Sequence, residues 1–387
     1  MNDSTKKALL PDGLRDVLPP DAAHEAAVAA RLVGAFAARG YQRVDPPLVE
    51  FEDSLLDGAG QAMATGTFRL MDPVSQRMMG VRADMTIQVA RIAATRLANA
   101  PRPLRLAYAG NVLRVRGSQL RPERQFMQAG VEIVGPEEAA ADAEIILLAT
   151  DALGEAGVEN LSVDINLPTL IPALCRALDL DEETQVALRE ALDSKDAAAV
   201  AVAGGQAAEW LGALLRATGP VDKALAALKA LNLPAKASAE CDRLEEVVGL
   251  IRAAAPDLTL TVDPVEHRGF EYQTGLSFTV FARGVRGEMG RGGRYHVTGN
   301  GEPATGFSLF LDSVLRALPH PGNGRSLYLP YGTDAARGAA LRAEGWVTVA
   351  GLTPESDPAA EAWRLGCTHI PRDNEIAELG GSSDNSN

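Results

Sequence analysis

Residues 104–116 and 125–134 both read as apolar strands, and only a polar loop, Gly117 to Glu123, parts them. So short a connection returns the second strand antiparallel to the first. Further strand signals fall at residues 68–82 (a hairpin turning at Asp72-Pro73), 161–165, 258–262, 272–281 and around Tyr295. Helical periodicity covers 21–39, where Val28, Leu32 and Phe36 recur every fourth residue and Gly40 stands at the end. Further helices are predicted from Met85 to Leu97, from Pro136 to Glu155 and from Leu309 to Leu318. The strands cluster and helices flank them, without strict β-α-β alternation. That order predicts an α+β fold on a mostly antiparallel sheet, not a doubly wound parallel one.

From about Pro168 to Pro256 short helical segments alternate with glycine or proline breaks, which reads as a helical insertion. Residues 326–373 pattern as a small β-α-β-α-β unit, and the Gly-Gly-Ser-Ser-Asp-Asn-Ser-Asn end reads as disordered. The predicted organisation is therefore a core in two parts, 1–166 and 258–320, around an insertion at 167–257. A small α/β unit at 321–375 and a disordered tail at 376–387 follow. With 387 residues, 46% of them hydrophobic, the chain can bury one large core besides smaller units.

Several function classes are disfavoured. The net charge of −14 repels nucleic acid unless a local basic groove overrides it. Cys175, Cys241 and Cys367 are widely spaced, with no CxxC pair, so no zinc site or disulfide framework is signalled, and buried free thiols suit a reducing cytoplasm. No apolar run is long enough to span a bilayer, and no hydrophobic leader follows the first lysines. Neither GxGxxG after a strand nor GxxxxGK[ST] occurs, so no phosphate loop is predicted.

Four clusters carry candidate chemistry. Gln128, Gly130 and Glu132 share one face of their strand by the period-two rule, with Arg114 on the adjoining one. An inward arginine, glutamine and glutamate make a polar pocket floor; a structural ion pair explains them equally well. Asp84 and Thr86, at a strand-to-helix junction, read either as a helix cap or as the holder of an amino group. His267 to Gly275 and Gly292-Gly293-Arg294-Tyr295 read as walls against a small polar ligand, or as tight hairpins.

Taken in order, these motifs resemble a class II aminoacyl-tRNA synthetase core of the histidyl type. Pro11-Asp12-Gly13-Leu14-Arg15-Asp16 resembles that family's opening segment, and the first helix with Pro47 its dimer-forming first motif. Leu113 to Val134 resembles the second motif, with Arg114 at the motif arginine. Residues 268–275 and 292–295 resemble the two histidine-specific signatures. The resemblance spans roughly the first 318 residues.

The departures are selective. Ser313 stands where the resembled family has an arginine on ATP phosphate, and Phe310 replaces a glycine. Arg116 replaces glutamate, Gln273 a tyrosine and His296 an aspartate. Losing one charged donor at a developing phosphate charge costs about a hundredfold or more in rate. The amino-acid side is better kept: Asp84 (for glutamate), Thr86, Arg114, Gln128, Glu132 and Arg268. Only 69 residues follow Leu318, fewer than the anticodon-binding domain of such synthetases, and few of them are basic.

The combination is similar to the regulatory subunits of ATP phosphoribosyltransferase, whose characteristic segment Arg82 to Arg91 resembles. That resemblance implies a non-catalytic, cytoplasmic chain without metal or cofactor, binding neither tRNA nor membrane. It implies a histidine site in which Arg114 and Arg268 hold the carboxylate and Asp84 and Thr86 the amine. Glu132, with Gln128 and Tyr272 or Tyr295, would meet the amine or imidazole. The implied partner is a short-form catalytic subunit, joined by a homodimer of this chain in a larger hetero-oligomer. The alternatives left open are a histidyl-tRNA synthetase with a trimmed C-terminus and a scaffold that has lost its amino-acid site.

Overall fold

The computed structural model describes residues 9–56, 63–117, 121–266, 273–321, 324–372 and 375–379. Two compact units emerge: Met1–Asp16 with Glu25–Pro319, and Val17–His24 with His320–Asn387.

The first unit is built on the predicted antiparallel pair. After α1 (Asp21–Ala38) and the short β1 (Gln42–Arg43) come β2 (Val49–Phe51), α2 (Glu52–Leu55), β3 (Arg69–Met71) and β4 (Met78–Val81). Strands β2, β4 and β3 make a small antiparallel sheet, with Asp72 accepting from Val74 and Ser75 backbone N–H groups at the predicted turn. Next come α3 (Thr86–Thr95), β5 (Leu104–Leu113), β6 (Gln125–Val134), α4 (Ala139–Ala156) and β7 (Leu161–Asn166). Helices α5 (Leu170–Ala177), α6 (Glu182–Asp193), α7 (Ala197–Ala203) and α8 (Ala208–Arg216) follow. The two-residue β8 (Gly219–Pro220), α9 (Val221–Lys229) and α10 (Ala235–Ala254) then precede β9 (Thr259–Asp263). Strands β10 (Gln273–Ala282), β11 (Gly290–His296) and β12 (Pro303–Phe310) lead into α11 (Leu311–Ala317).

Nine strands form the main sheet in the order β1-β5-β6-β12-β11-β10-β7-β9-β8. All neighbours are antiparallel except β1 with β5 and β7 with β9. The α+β antiparallel reading therefore holds.

The sheet has two differently furnished faces. On one, Ala129, Val131, Ile133, Phe307, Leu309, Phe278 and Val280 pack against α1 and α4. Helix α4 is apolar nearly all round because α10 covers its far side with Leu244, Val247, Val248 and Ile251. It stops at Gly157, whose φ of 102° is open to glycine at little cost. The helices of the predicted insertion thus share one apolar core with the sheet. Arg294 of β11 donates from Nε to Asp142 of α4 at 3.1 Å, and Arg243 of α10 donates to the same carboxylate at 2.7 Å. The opposite face carries a smaller cluster under α3, in which Met85, Val89 and Ala93 meet Leu106, Tyr108, Val112, Phe126 and Phe310.

The predicted helix from Leu309 begins only at Leu311, because Ala304 to Phe310 pair with Val134 to Gln128 as a strand. The strand expected to reach 116 ends at Leu113, although Arg114 N–H still donates to Arg124 O at 2.8 Å.

In the second unit, β13 (Ser326–Leu329), α12 (Ala335–Ala343), β14 (Val347–Ala350), α13 (Pro358–Arg364) and β15 (His369–Arg372) follow the predicted alternation. A last strand, β16 (Glu375–Glu378), pairs antiparallel with β15, so regular structure continues past 376, where disorder was expected. The sheet order is β14-β13-β15-β16.

Candidate functional site

Register brings the polar side chains of the α3 face together. Directly opposed residues of antiparallel neighbours point the same way. Glu132 of β6 lies opposite Gly306 of β12, which lies opposite Gly293 of β11. The next same-face row is Gly130, Ser308 and Arg291. Two glycines make room here. A Cβ at Gly306 would sit 1.9 Å from Glu132 Oε2, and one at Gly130 would sit 2.5 Å from the Tyr108 hydroxyl.

A continuous hydrogen-bond network results. Gln128 Nε2 donates to Asp84 Oδ2 at 3.1 Å and to Ser308 Oγ at 2.5 Å, while its Oε1 accepts from Met85 N–H at 3.0 Å. The Ser308 and Tyr108 hydroxyls are 2.9 Å apart, and the Tyr108 and Thr86 hydroxyls 3.2 Å. Glu132 accepts from Tyr108 at 3.2 Å and from Tyr295 at 3.0 Å. Asp84 Oδ1 accepts from Thr86 N–H at 2.8 Å, so this carboxylate caps α3 with one oxygen and joins the network with the other. The helix-cap reading of the Asp84–Thr86 pair therefore has its hydrogen bond.

Two adjoining recesses open onto this network, sharing Asp84, Thr86, Arg291 and Tyr295. One, about 300 Å³ including its opening to solvent, is lined by Glu132, Ser308 and Gln273. The other, about 500 Å³ including its opening to solvent, is lined also by Met63, Ile87 and Ala90. Burial pushes the Glu132 carboxyl up to about 8, aided by the nearby Asp84 charge and opposed by hydrogen bonds from Tyr295, Tyr108 and Thr86. Burial, with Glu132 and Asp84 nearby, also drives the Tyr108 hydroxyl well above its ordinary value. Such a site favours a cationic group that would let Glu132 ionise.

Beyond Gln128 the character changes. Arg121 is buried and grips Asp312 with two hydrogen bonds, Nη2 at 2.9 Å and Nε at 3.1 Å. Its guanidinium lies 3.9 Å from the Phe310 ring centroid and 4.4 Å from that of Phe126. Those two rings meet edge-on at 5.9 Å. Arg114 stacks over Phe126 at 4.9 Å, and burial, then the charge of Arg121, pull it down to about 10. It stands beside the recesses but is not among the residues lining them. Ser313 is fully buried and accepts from Arg316 at 2.9 Å. Where the resembled synthetases have a glycine and a phosphate-gripping arginine, this chain packs a phenylalanine ring and a serine. Among the described residues no cluster of histidine, cysteine, aspartate or glutamate could hold a metal ion. No helix among them is long and apolar enough to cross a membrane.

The histidyl-tRNA synthetase family model matches residues 13–314. An ATP phosphoribosyltransferase regulatory subunit of Rhodospirillum centenum is 59% identical over 376 residues, 97% of each chain. One of Paramagnetospirillum magneticum is 60% identical over 369 residues, 95% of this chain and 97% of the relative. The chain belongs to the ATP phosphoribosyltransferase regulatory subunit family. Members of that family bear a regulatory name, and the role of this chain is regulatory, not catalytic. Two solved structures share the fold. One, described as a regulatory subunit/histidyl-tRNA synthetase from Bacillus halodurans, has a TM-score of 0.78 at 24% identity, covering 92% of this chain and 96% of that one. A histidyl-tRNA synthetase from Nostoc sp. PCC 7120 also gives 0.78, at 19% identity, covering 94% and 90%.

Of the eight residues singled out in the sequence, Asp84, Thr86, Gln128, Glu132 and Tyr295 meet in one network. Arg114 lies beside it, and Arg268 and Tyr272 lie outside the described residues. Sequence reasoning missed Tyr108, Ser308 and Arg291. Tyr108 was legible as sharing a face with Leu106 and Gly110. Ser308 was hidden by the helix expected to begin one residue later. In Gly292-Gly293-Arg294-Tyr295 the two large side chains part company: Tyr295 reaches Glu132, while Arg294 turns to Asp142 on the other face.

Proposed function

We propose that this chain binds histidine between Glu132 and Asp84 and conveys its presence to a short-form catalytic ATP phosphoribosyltransferase, a glycosyltransferase whose output falls when histidine is abundant. The observation that carries the reading is the pairing of two carboxylates on one hydrogen-bonded recess with an aromatic-filled nucleotide side. Asp84 and Thr86 take the ammonium group. Glu132, steered by Tyr108 and Tyr295 and flanked by Gln128, takes the imidazole or shares the amine. Arg114 and Arg268 are the sequence's assignment for the carboxylate, and Tyr272 is its further ring contact.

Amino-acid binding needs only these partners, whereas adenylation also needs cations around a triphosphate. Phe310, Ser313 and the Arg121–Asp312 pair support the first without the second. The working assembly is a cytoplasmic hetero-oligomer containing a homodimer of this chain, with no cofactor, tRNA or membrane. Coupling between site and partner of about 1–3 kcal/mol is reciprocal, so the catalytic subunit must change histidine affinity by the factor histidine changes the partner's state. The test is co-purification with a short-form catalytic subunit and a rate measurement with and without histidine. Histidine-dependent exchange of pyrophosphate into ATP by this chain alone would instead restore the synthetase reading.

A further inference from the structure

Every polar contact described so far suits the amine or ring of a ligand, and the sequence's carboxylate partners are either beside the recess or outside the described residues. One guanidinium does line both recesses, that of Arg291. It shares the pocket-facing side of β11 with Gly293 and Tyr295, and it lies opposite Ser308 of β12 and Thr279 of β10. The row holding Arg291 is two residues along the sheet from the row holding Glu132. That is about 7 Å, comparable to the reach from carboxylate to side-chain ring in an amino acid of histidine's size.

The shift has a direction. From Glu132 toward Gln128 the sheet runs from the buried carboxyl to Arg291, Gln128 and Arg114. The charge of Arg291 acts unfavourably on Arg114. Among the described residues Arg114 Nε is buried without a hydrogen-bond partner. Two guanidiniums that repel across a recess are relieved by an anion between them, and the planar fork of arginine matches a carboxylate. At the other end lies the buried Glu132 carboxyl, while Asp84, bonded to Gln128, stands toward the Arg114 side. The recess thus has a dipolar order, anion-accepting at Arg291 and cation-accepting at Glu132, that fits a zwitterion in one orientation.

We infer that Arg291 anchors the α-carboxylate of the bound amino acid and so selects a free amino acid over its decarboxylated or reduced analogues. The inference rests on the amino-acid-binding reading above and adds a residue and a selectivity to it. The experiment is calorimetric titration of the full chain with histidine and with histidinol, in which a hydroxymethyl group replaces the carboxylate. Wild type, Arg291→Met and Arg291→Lys are compared. Arg291→Met should weaken histidine about ten- to a hundredfold, the size of one charged hydrogen-bonded contact, and leave histidinol unchanged. Arg291→Lys, a point charge without the fork, should fall between. An equal loss for both ligands in both variants would assign Arg291 a structural role and overturn the inference, as would no loss for either. If wild type binds neither compound, the amino-acid reading itself falls, and the inference with it.

Discussion

Glu132→Gln should make the unliganded protein more stable at alkaline pH while removing its capacity to bind histidine. The carboxyl is fully buried and pushed from 4.5 to about 8, chiefly by burial. A group raised in the folded state contributes stability that is fully present below its unfolded value and is lost as pH rises through its folded one. Between pH 4.5 and 8 the unfolded chain ionises at Glu132 while the fold keeps it protonated, so the wild-type fold loses stability progressively, whereas glutamine is neutral throughout. At 1.36 kcal/mol per unit the limit is about 5 kcal/mol, and water penetration makes roughly 2–5 kcal/mol the expected range. For a unit of this size that is roughly 4–10 °C in melting temperature. Tyr108 and Tyr295 donate to different oxygens of Glu132; glutamine keeps one as an acceptor and presents an NH2 donor in place of the other, as the protonated carboxyl presents its O–H, so packing changes little. Thermal unfolding of both proteins, ligand-free, at pH 5 and pH 9 provides the assay. The difference between them should move in favour of glutamine by that amount from acid to alkaline pH. A difference that is constant with pH, or that moves against glutamine, would refute the account of Glu132.

Other substitutions probe the two halves of the site separately. Gly306→Ala brings a Cβ within 1.9 Å of Glu132 Oε2 and 2.4 Å of Val131 O, so a melting curve should report about 1–3 kcal/mol of lost stability and titration should report lost histidine binding. Asp312→Ala removes the two-point partner of the buried Arg121 guanidinium and leaves Glu288 at 3.7 Å, and denaturant unfolding should show a loss of about 3 kcal/mol. Histidine affinity should change little in Asp312→Ala under folded conditions, because neither residue of that pair lines the recesses.

Much of this architecture was legible because local signals and tertiary structure agree. The β5–β6 hairpin shows its alternation and its loop, the Asp72-Pro73 turn its dipeptide, and α1 its fourfold spacing with Gly40 behind it. The site was half legible for a related reason. Gln128, Gly130 and Glu132 declare a common face within one strand. What lies beside them depends on the sheet order β6-β12-β11-β10, in which the neighbour of β6 arrives some 170 residues later in the chain. No periodicity reports that, so Ser308 and Arg291 stayed hidden although each is a plain polar residue. The glycines at 292, 293 and 306 are visible in the sequence as a density that calls for close approach, without saying which side chains approach. Gly306 and Gly293 let Glu132 and Gln273 lie over neighbouring backbone, and Gly292 does the same for the Phe278 ring on the other face. Ser313 and Phe310 were readable only against a resembled family, since nothing in an isolated serine or phenylalanine announces a missing phosphate contact.

The most direct test of the central claim is calorimetric titration of histidine into the full chain, alone and with a short-form catalytic subunit. Binding should be saturable, vanish in Glu132→Gln and weaken in Asp84→Asn, with an affinity that changes when the partner is present. No heat and no thermal shift at millimolar histidine, with or without the partner, would contradict it.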